Sequence, residues 1–239
     1  MVTLSQVSAR LLIIPLAALL VAACEHNDLG TGTSGGGGGS VPPLGAASTY
    51  GILAGTAVTC VTGGTIFADV GVSPGAAITG FGPCTLTGTR HAGDAAAAAA
   101  QVALTSAYNA LVAETCGTTI VADLGGTTIT PGVYCSASSV GVTGAVTLNG
   151  QGNANARFVI KAGSSLTTAG SVVLTNGTQA KNVWWQVGSS ATLGTGSAWQ
   201  GNIVALTSIT LNDNATMLGR ALARNGGITL GTNNSIALP

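Results

Sequence analysis

Charge is nearly missing from this sequence. Asp, Glu, Lys and Arg together make up 6% of the residues, and seven basic side chains balance seven acidic ones, where roughly a quarter of residues is usual. That balance excludes the basic footprint of a nucleic-acid binder. Histidine is almost missing too. Beyond the N-terminal segment only His91 remains, and no CxxC pair occurs, so no metal site and no cofactor are expected. The acids Asp69, Asp94, Glu114, Asp123 and Asp213 are scattered, without the paired spacing of glycoside cleavage. Gly71-Val72-Ser73-Pro74-Gly75 formally matches the GxSxG elbow of hydrolases. The residue after that serine must lend its N–H to an oxyanion hole, and Pro74 has none. No catalytic residue is assigned, and the chain does not read as an enzyme. Low charge combined with abundant Val, Ile and Leu argues against disorder. Gly, Ala, Thr, Ser and Asn must then carry the surface.

The N-terminus is organised for export. Arg10 precedes the apolar run Leu11–Ala23, which is followed by Cys24. A basic start, a short apolar stretch and small residues at the cut describe a signal peptide over 1–23. Val21-Ala22-Ala23-Cys24 resembles a bacterial lipobox, with Cys24 as the lipidated first residue. Residues 24–43 include five consecutive glycines and read as a flexible tether. The folded domain is expected over 44–239. The chain is expected to be lipid-anchored to the bacterial envelope, at the outer membrane or cell surface, or else secreted. Membrane contact would run only through Cys24, and a monomer is expected. Four cysteines remain, Cys60, Cys84, Cys116 and Cys135. In an exported chain an even count suggests disulfides. Of three connectivities, Cys60–Cys84 and Cys116–Cys135 are favoured because each closes a short loop.

What is abundant is repetition. Thr192-Leu193, Thr210-Leu211 and Thr229-Leu230 recur at intervals of 18 and 19 residues, and Gly201 and Gly219 are also 18 apart. A fixed period near 20 marks a solenoid, one repeat per turn. From Val140 onward, short apolar-polar stretches fall into three columns, which implies three strands per turn. One segment breaks the pattern. In Gly93–Glu114 six alanines follow Asp94, a favourable N-cap. Ala97, Ala100, Leu104, Tyr108 and Leu111 recur at helical spacing. A helix over Asp94–Glu114 is expected to lie against the third column, where "RFVIK" and "VWWQV" are apolar on both sides. The segment before the helix is expected to add a further rung, and five or six rungs are expected in all.

Several separated motifs carry a family resemblance. "ADVGVSPG", "HAGDA" at a helix start, "DLGGTTITPGVYC", "WQVGSSATLGTG" and "GRALARNGGITL" together resemble the bacterial and fungal ice-binding-like domain, from about Leu44 to Leu238. The resemblance implies a mainly β fold, a right-handed three-faced discontinuous β-solenoid with one long helix packed along one face. It also implies ice as the ligand, with inhibition of ice growth or recrystallisation. Where relatives carry a further cysteine this chain has Ala180-Lys181-Asn182, which leaves the remaining cysteines even.

The first column then acquires a purpose. Thr143, Thr167, Thr192, Thr210 and Thr229 are read as one outward ladder, with Thr195 and Thr232 beside it. A threonine offers a methyl and a hydroxyl that both donates and accepts. A rigid, uncharged array of such groups can hold water in a regular layer. Thr147, Thr175 and Thr216 on the second column form the rival face. Threonine is also simply a good strand residue, and a tethered adhesive module that binds polysaccharide or other cells is the alternative function.

Overall fold

The computed structural model describes residues 41–239. The signal peptide over 1–23, the lipidation site Cys24 and all but the last residues of the tether over 24–43 lie outside the described residues.

All strand pairs in the domain are parallel, and the chain winds through three faces. The first face is a seven-stranded sheet. In spatial order its strands are Val140–Val142, Leu166–Thr168, Ala191–Leu193, Ile209–Leu211, Ile228–Thr232, Ala57–Thr62 and Ala77–Thr79. The order rises along the chain and then jumps back, so the N-terminal turns stack on the C-terminal end of the solenoid. The expected single N-terminal rung is two, and the first face counts seven strands rather than five or six. These turns keep a spacing of 20 residues from Thr59 to Thr79, but they precede the helix and so stand apart in sequence from the C-terminal series.

The other two faces share strands. Thr128–Ile129, Val146–Asn149 and Val172–Thr175 form a short sheet on the second face. Ala198–Ala205 and Thr216–Ala223 are long enough to serve both remaining faces. The N-terminal half of Thr216–Ala223 pairs with Ser235–Ala237, its C-terminal half with Tyr50–Ala54. Gly201 and Gly219 lie between those halves. Gly201 has φ +108°, and a Cβ there would meet Val183 at 2.7 Å. A Cβ on Gly219 would meet the Gly201 carbonyl oxygen at 1.9 Å. Their recurrence in the sequence is therefore steric.

The helix, α1, spans Ala95–Ala113, and the Asp94 carboxylate caps it by accepting from the Ala97 N–H. Its buried stripe is Ala97, Ala100, Leu104, Ala107, Tyr108 and Leu111, the expected set with Ala107 added. The stripe packs on Tyr50, Leu53, Val159, Trp184, Val204 and Leu222. The alternate residues Ile52, Phe158, Ile160, Val183, Trp185 and Ile203 point into the solenoid interior. A sheet buried on both faces needs continuous apolar strands, which is why the third column reads "FVI" and "VWW". Trp185 packs on Trp199 in that interior, ring centroids 4.6 Å apart. At 1.5 Å per residue the helix is about 28 Å long, and six strand spacings of about 4.8 Å give about 29 Å. The helix thus carries the chain back along the stack, from the N-terminal turns to the start of the C-terminal series. Lys161 closes its far end by donating to the carbonyls of Val112 and Glu114, both at 2.8 Å. Arg157, 4% exposed, donates through both terminal nitrogens to the Glu114 carboxylate. The disulfides are Cys60–Cys84 and Cys116–Cys135, the local pairing.

Candidate functional site

Parallel pairing without a register shift turns the first face into a set of files. Thr167 pairs with Thr192, Thr192 with Thr210, Thr210 with Thr229, Thr229 with Thr59 and Thr59 with Thr79. Six threonines thus stand in one row. Five strand spacings of about 4.8 Å make that row about 24 Å long. Side chains alternate across a strand, so the flanking residues point inward: Leu166, Ala191, Leu193, Ile209, Leu211, Ile228, Leu230 and Val58 are at most 1% exposed. That packing fixes the register, since a slip of one residue would put the threonines in the core. The seven strands contain no Asp, Glu, Lys or Arg.

Two further rows run beside the first. Ser165, Ser190 and Ser208 lie two residues ahead of Thr167, Thr192 and Thr210, and the Ser190 and Ser208 hydroxyls are 2.9 Å apart. Three residues after the first row come Thr195, Asp213, Thr232 and Thr62, with Thr232 and Thr62 in register. Thr195 and Thr62 are exposed and Thr232 is half-buried.

Thr143 does not belong to the row. Gly141 is the residue in register with Thr167, and Asp123 bridges to Gly141 beyond it. Thr143 lies two residues further along and donates its hydroxyl to the Asp123 carboxylate. The strand that begins the series carries glycine where its neighbours carry threonine, so aligning by the nearest threonine shifts the register by two. Conversely, Thr59, Thr62 and Thr79 were missed. The spacing Thr59-Cys60-Val61-Thr62 repeats that of Thr192–Thr195 and Thr229–Thr232, and was the available signal.

The rival row dissolves. Thr147 pairs with Thr128 and Val173, and Thr175 pairs with Asn149. Thr216 pairs with Ala198 and Ser235. Phe67, Leu218 and Val173 project from the second face at 52%, 41% and 39% exposure, so that surface is uneven.

Asp213 apart, the electrostatics are confined to the margins. The Asp123 carboxyl is held below the usual carboxylate range, first by the Thr143 hydroxyl, then by the N–H groups of Gly125 and Thr143. The Asp94 carboxyl is lowered by the Ala97 N–H and then by His91, whose Nδ1 lies 2.8 Å from it. His91 is therefore engaged at the helix start. Ser73, in the formal GxSxG, is buried, and no hydrogen bond joins it to His91 among the described residues. No group of three metal-ligating side chains occurs among them either.

A regular uncharged threonine sheet on a helix-backed solenoid has close counterparts among known proteins. A model described as "Ice-binding-like" matches residues 52–236. The chain belongs to the ice-binding-like family. An ice-binding protein of Nostoc sp. (strain HG1) is 48% identical over 198 residues, spanning 81% of this chain and 73% of that protein. Of the family's solved structures, an ice-binding protein from an Antarctic biological consortium superposes with a TM-score of 0.82 at 42% identity, covering 87% of this chain and 96% of its own. Another, from the Antarctic ascomycete Antarctomyces psychrotrophicus, gives 0.80 at 37% identity, covering 84% and 99%.

Proposed function

We propose that this chain adsorbs to ice through the first face and thereby inhibits ice growth or recrystallisation. The observation that carries the reading is the row Thr167, Thr192, Thr210, Thr229, Thr59 and Thr79, held in unbroken register on an uncharged sheet. One hydroxyl gains little at an ice surface, because it exchanges one water partner for another. Many hydroxyls and methyls on a rigid plane act together, with the ordering cost already met in folding. Thr195, Thr232 and Thr62 widen that plane. The chain acts by binding, as a monomer, and needs no cofactor.

The test is ice-recrystallisation inhibition by purified domain. Thr210→Lys places a long charged side chain mid-row and should abolish most activity with an unchanged circular dichroism spectrum. Thr147→Lys on the second face is the control and should stay active. The reverse pattern would move the site to the second face. No ice affinity in the unmodified domain would favour the adhesive reading, with a polysaccharide ligand.

Export and anchoring belong to the same proposal. Arg10, the apolar run Leu11–Ala23 and Cys24 support lipidation at Cys24 and display at the cell envelope. Labelled palmitate should enter the wild-type protein but not Cys24→Ser. Equal labelling of the two would overturn the assignment.

A further inference from the structure

One acid stands inside the threonine surface. Asp213 occupies the third row between Thr195 and Thr232. The Asn214 N–H donates to the Thr232 carbonyl at 2.7 Å, and the Gly196 N–H donates to the Asp213 carbonyl at 2.9 Å. Asp213 is exposed. Its Oδ1 accepts from the Thr232 N–H at 2.7 Å, replacing a backbone acceptor, since the Asn212 carbonyl accepts instead from the Asn234 side-chain amide at 2.7 Å. A Cβ on residue 231 would come within 2.5 Å of that same Oδ1, so Gly231 and the carboxylate are fitted to each other. Among the described residues no group donates to Oδ2.

The surroundings of this carboxylate are those of the proposed ice site. A hollow of about 190 Å³ runs between the two threonine rows, lined by Thr195, Thr210, Asn212, Asp213, Thr229 and Gly231. It is large enough to hold several waters. In ice every water both donates and accepts. A threonine hydroxyl can replace either role, but an ionised carboxylate only accepts. Its neighbouring waters must all turn a hydrogen toward it, and stripping them away is costly. We propose that Asp213 interrupts the third row of the ice-contacting surface and holds its activity below what the surrounding threonines would support. The carboxylate's contribution is to the turn, through the Thr232 N–H, and its charge works against adsorption. This rests on the first face being the ice site.

Asp213→Asn keeps an oxygen for the Thr232 N–H and replaces the free oxygen by a donor. Asp213→Thr completes the row Thr195, residue 213, Thr232 and Thr62. Thermal hysteresis and recrystallisation inhibition should rise about twofold or more in Asp213→Asn, the gain from removing one ion–water mismatch. Asp213→Thr should rise in the same direction, and it decides the matter should Asp213→Asn lose its fold. Thr210→Lys is measured alongside. Loss in Thr210→Lys with equal or lower activity in folded Asp213→Asn and Asp213→Thr overturns this proposal alone. Full activity in Thr210→Lys sinks the face assignment, and this proposal with it.

Discussion

Each threonine of the row presents the same two groups from the same parity of a strand whose other parity is in the core. That duplication sets what single substitutions can do. Thr192→Ser removes one methyl from a surface built of many, so activity should fall measurably without vanishing. Thr59→Lys is the sharper test, because Thr59 belongs to a turn that precedes the helix and only the fold brings it beside Thr229. It should reduce recrystallisation inhibition as severely as Thr210→Lys, and a silent Thr59→Lys would confine the site to the C-terminal turns. Thr143→Val should leave adsorption intact, since that hydroxyl serves Asp123 rather than the row. Asp123 carries a pH signature of its own. Its folded-state pKa is depressed, so the stability it contributes is present above the unfolded value of about 3.9 and is lost as pH falls through the folded value. Thermal melts of Asp123→Asn should accordingly lose less stability than wild type across that acid range.

At the level of elements, α1 is held by small residues as much as by large ones. Ala97, Ala100 and Ala107 are fully buried and let the helix lie close along the sheet. Leu104→Ala would leave a cavity there and should cost about 2–5 kcal/mol in denaturant unfolding. Glu114→Ala should cost about 3–5 kcal/mol, because it strands the buried Arg157 guanidinium without its partner. The helix was legible in the sequence because alanine propensity, the Asp94 cap and a 3.6-residue stripe agree. The third column was legible because a sheet covered on both sides must be apolar throughout. The placement of Thr59 and Thr79 was not legible in the same way. Some 130 residues separate Thr79 from Thr210, and no local pattern states that the early turns close onto the late ones. The register of the first strand in the series failed for a related reason. Gly141 has no side chain to mark its parity, so the eye settles on Thr143.

Over the whole molecule, stability and function divide the surface between them. One face is sealed by the helix, one is uneven with Phe67 and Leu218 projecting, and one is regular, with strands free of charge and Asp213 beside them. Charges are placed where they tie segments together: Arg157 to Glu114, Lys161 to the helix end, and Arg220 to the Ser48 carbonyl and the Asn202 side chain. Two disulfides stand near opposite ends of the stack, one in the N-terminal turns and one at the far end of the helix. Each closes a loop of about 20 residues and should contribute about 3 kcal/mol. Reduction should lower the melting temperature while leaving the proposed ice-binding face of the still-folded protein active. Loss of ice affinity on reduction at a temperature where circular dichroism is unchanged would show that the Cys60–Cys84 link also shapes the surface around Thr59.

The way the chain enters the domain has a mechanical consequence. Tyr50–Ala54, the first strand after the tether, is not at an edge; it is paired with Thr216–Ala223 on one side and Asp69–Val72 on the other. If the chain is anchored through Cys24 as proposed, a pull on an ice-bound molecule would reach that strand from its N-terminal end, through Leu44 and the turn Gly45–Ala47. To the extent that the pull runs along the strand, both of its hydrogen-bonded ladders would resist in shear, sharing the force instead of unzipping one bond at a time. Were the face to grip a crystal and the leading end to hold a cell, as proposed, this threading would make the protein a rivet rather than a hook.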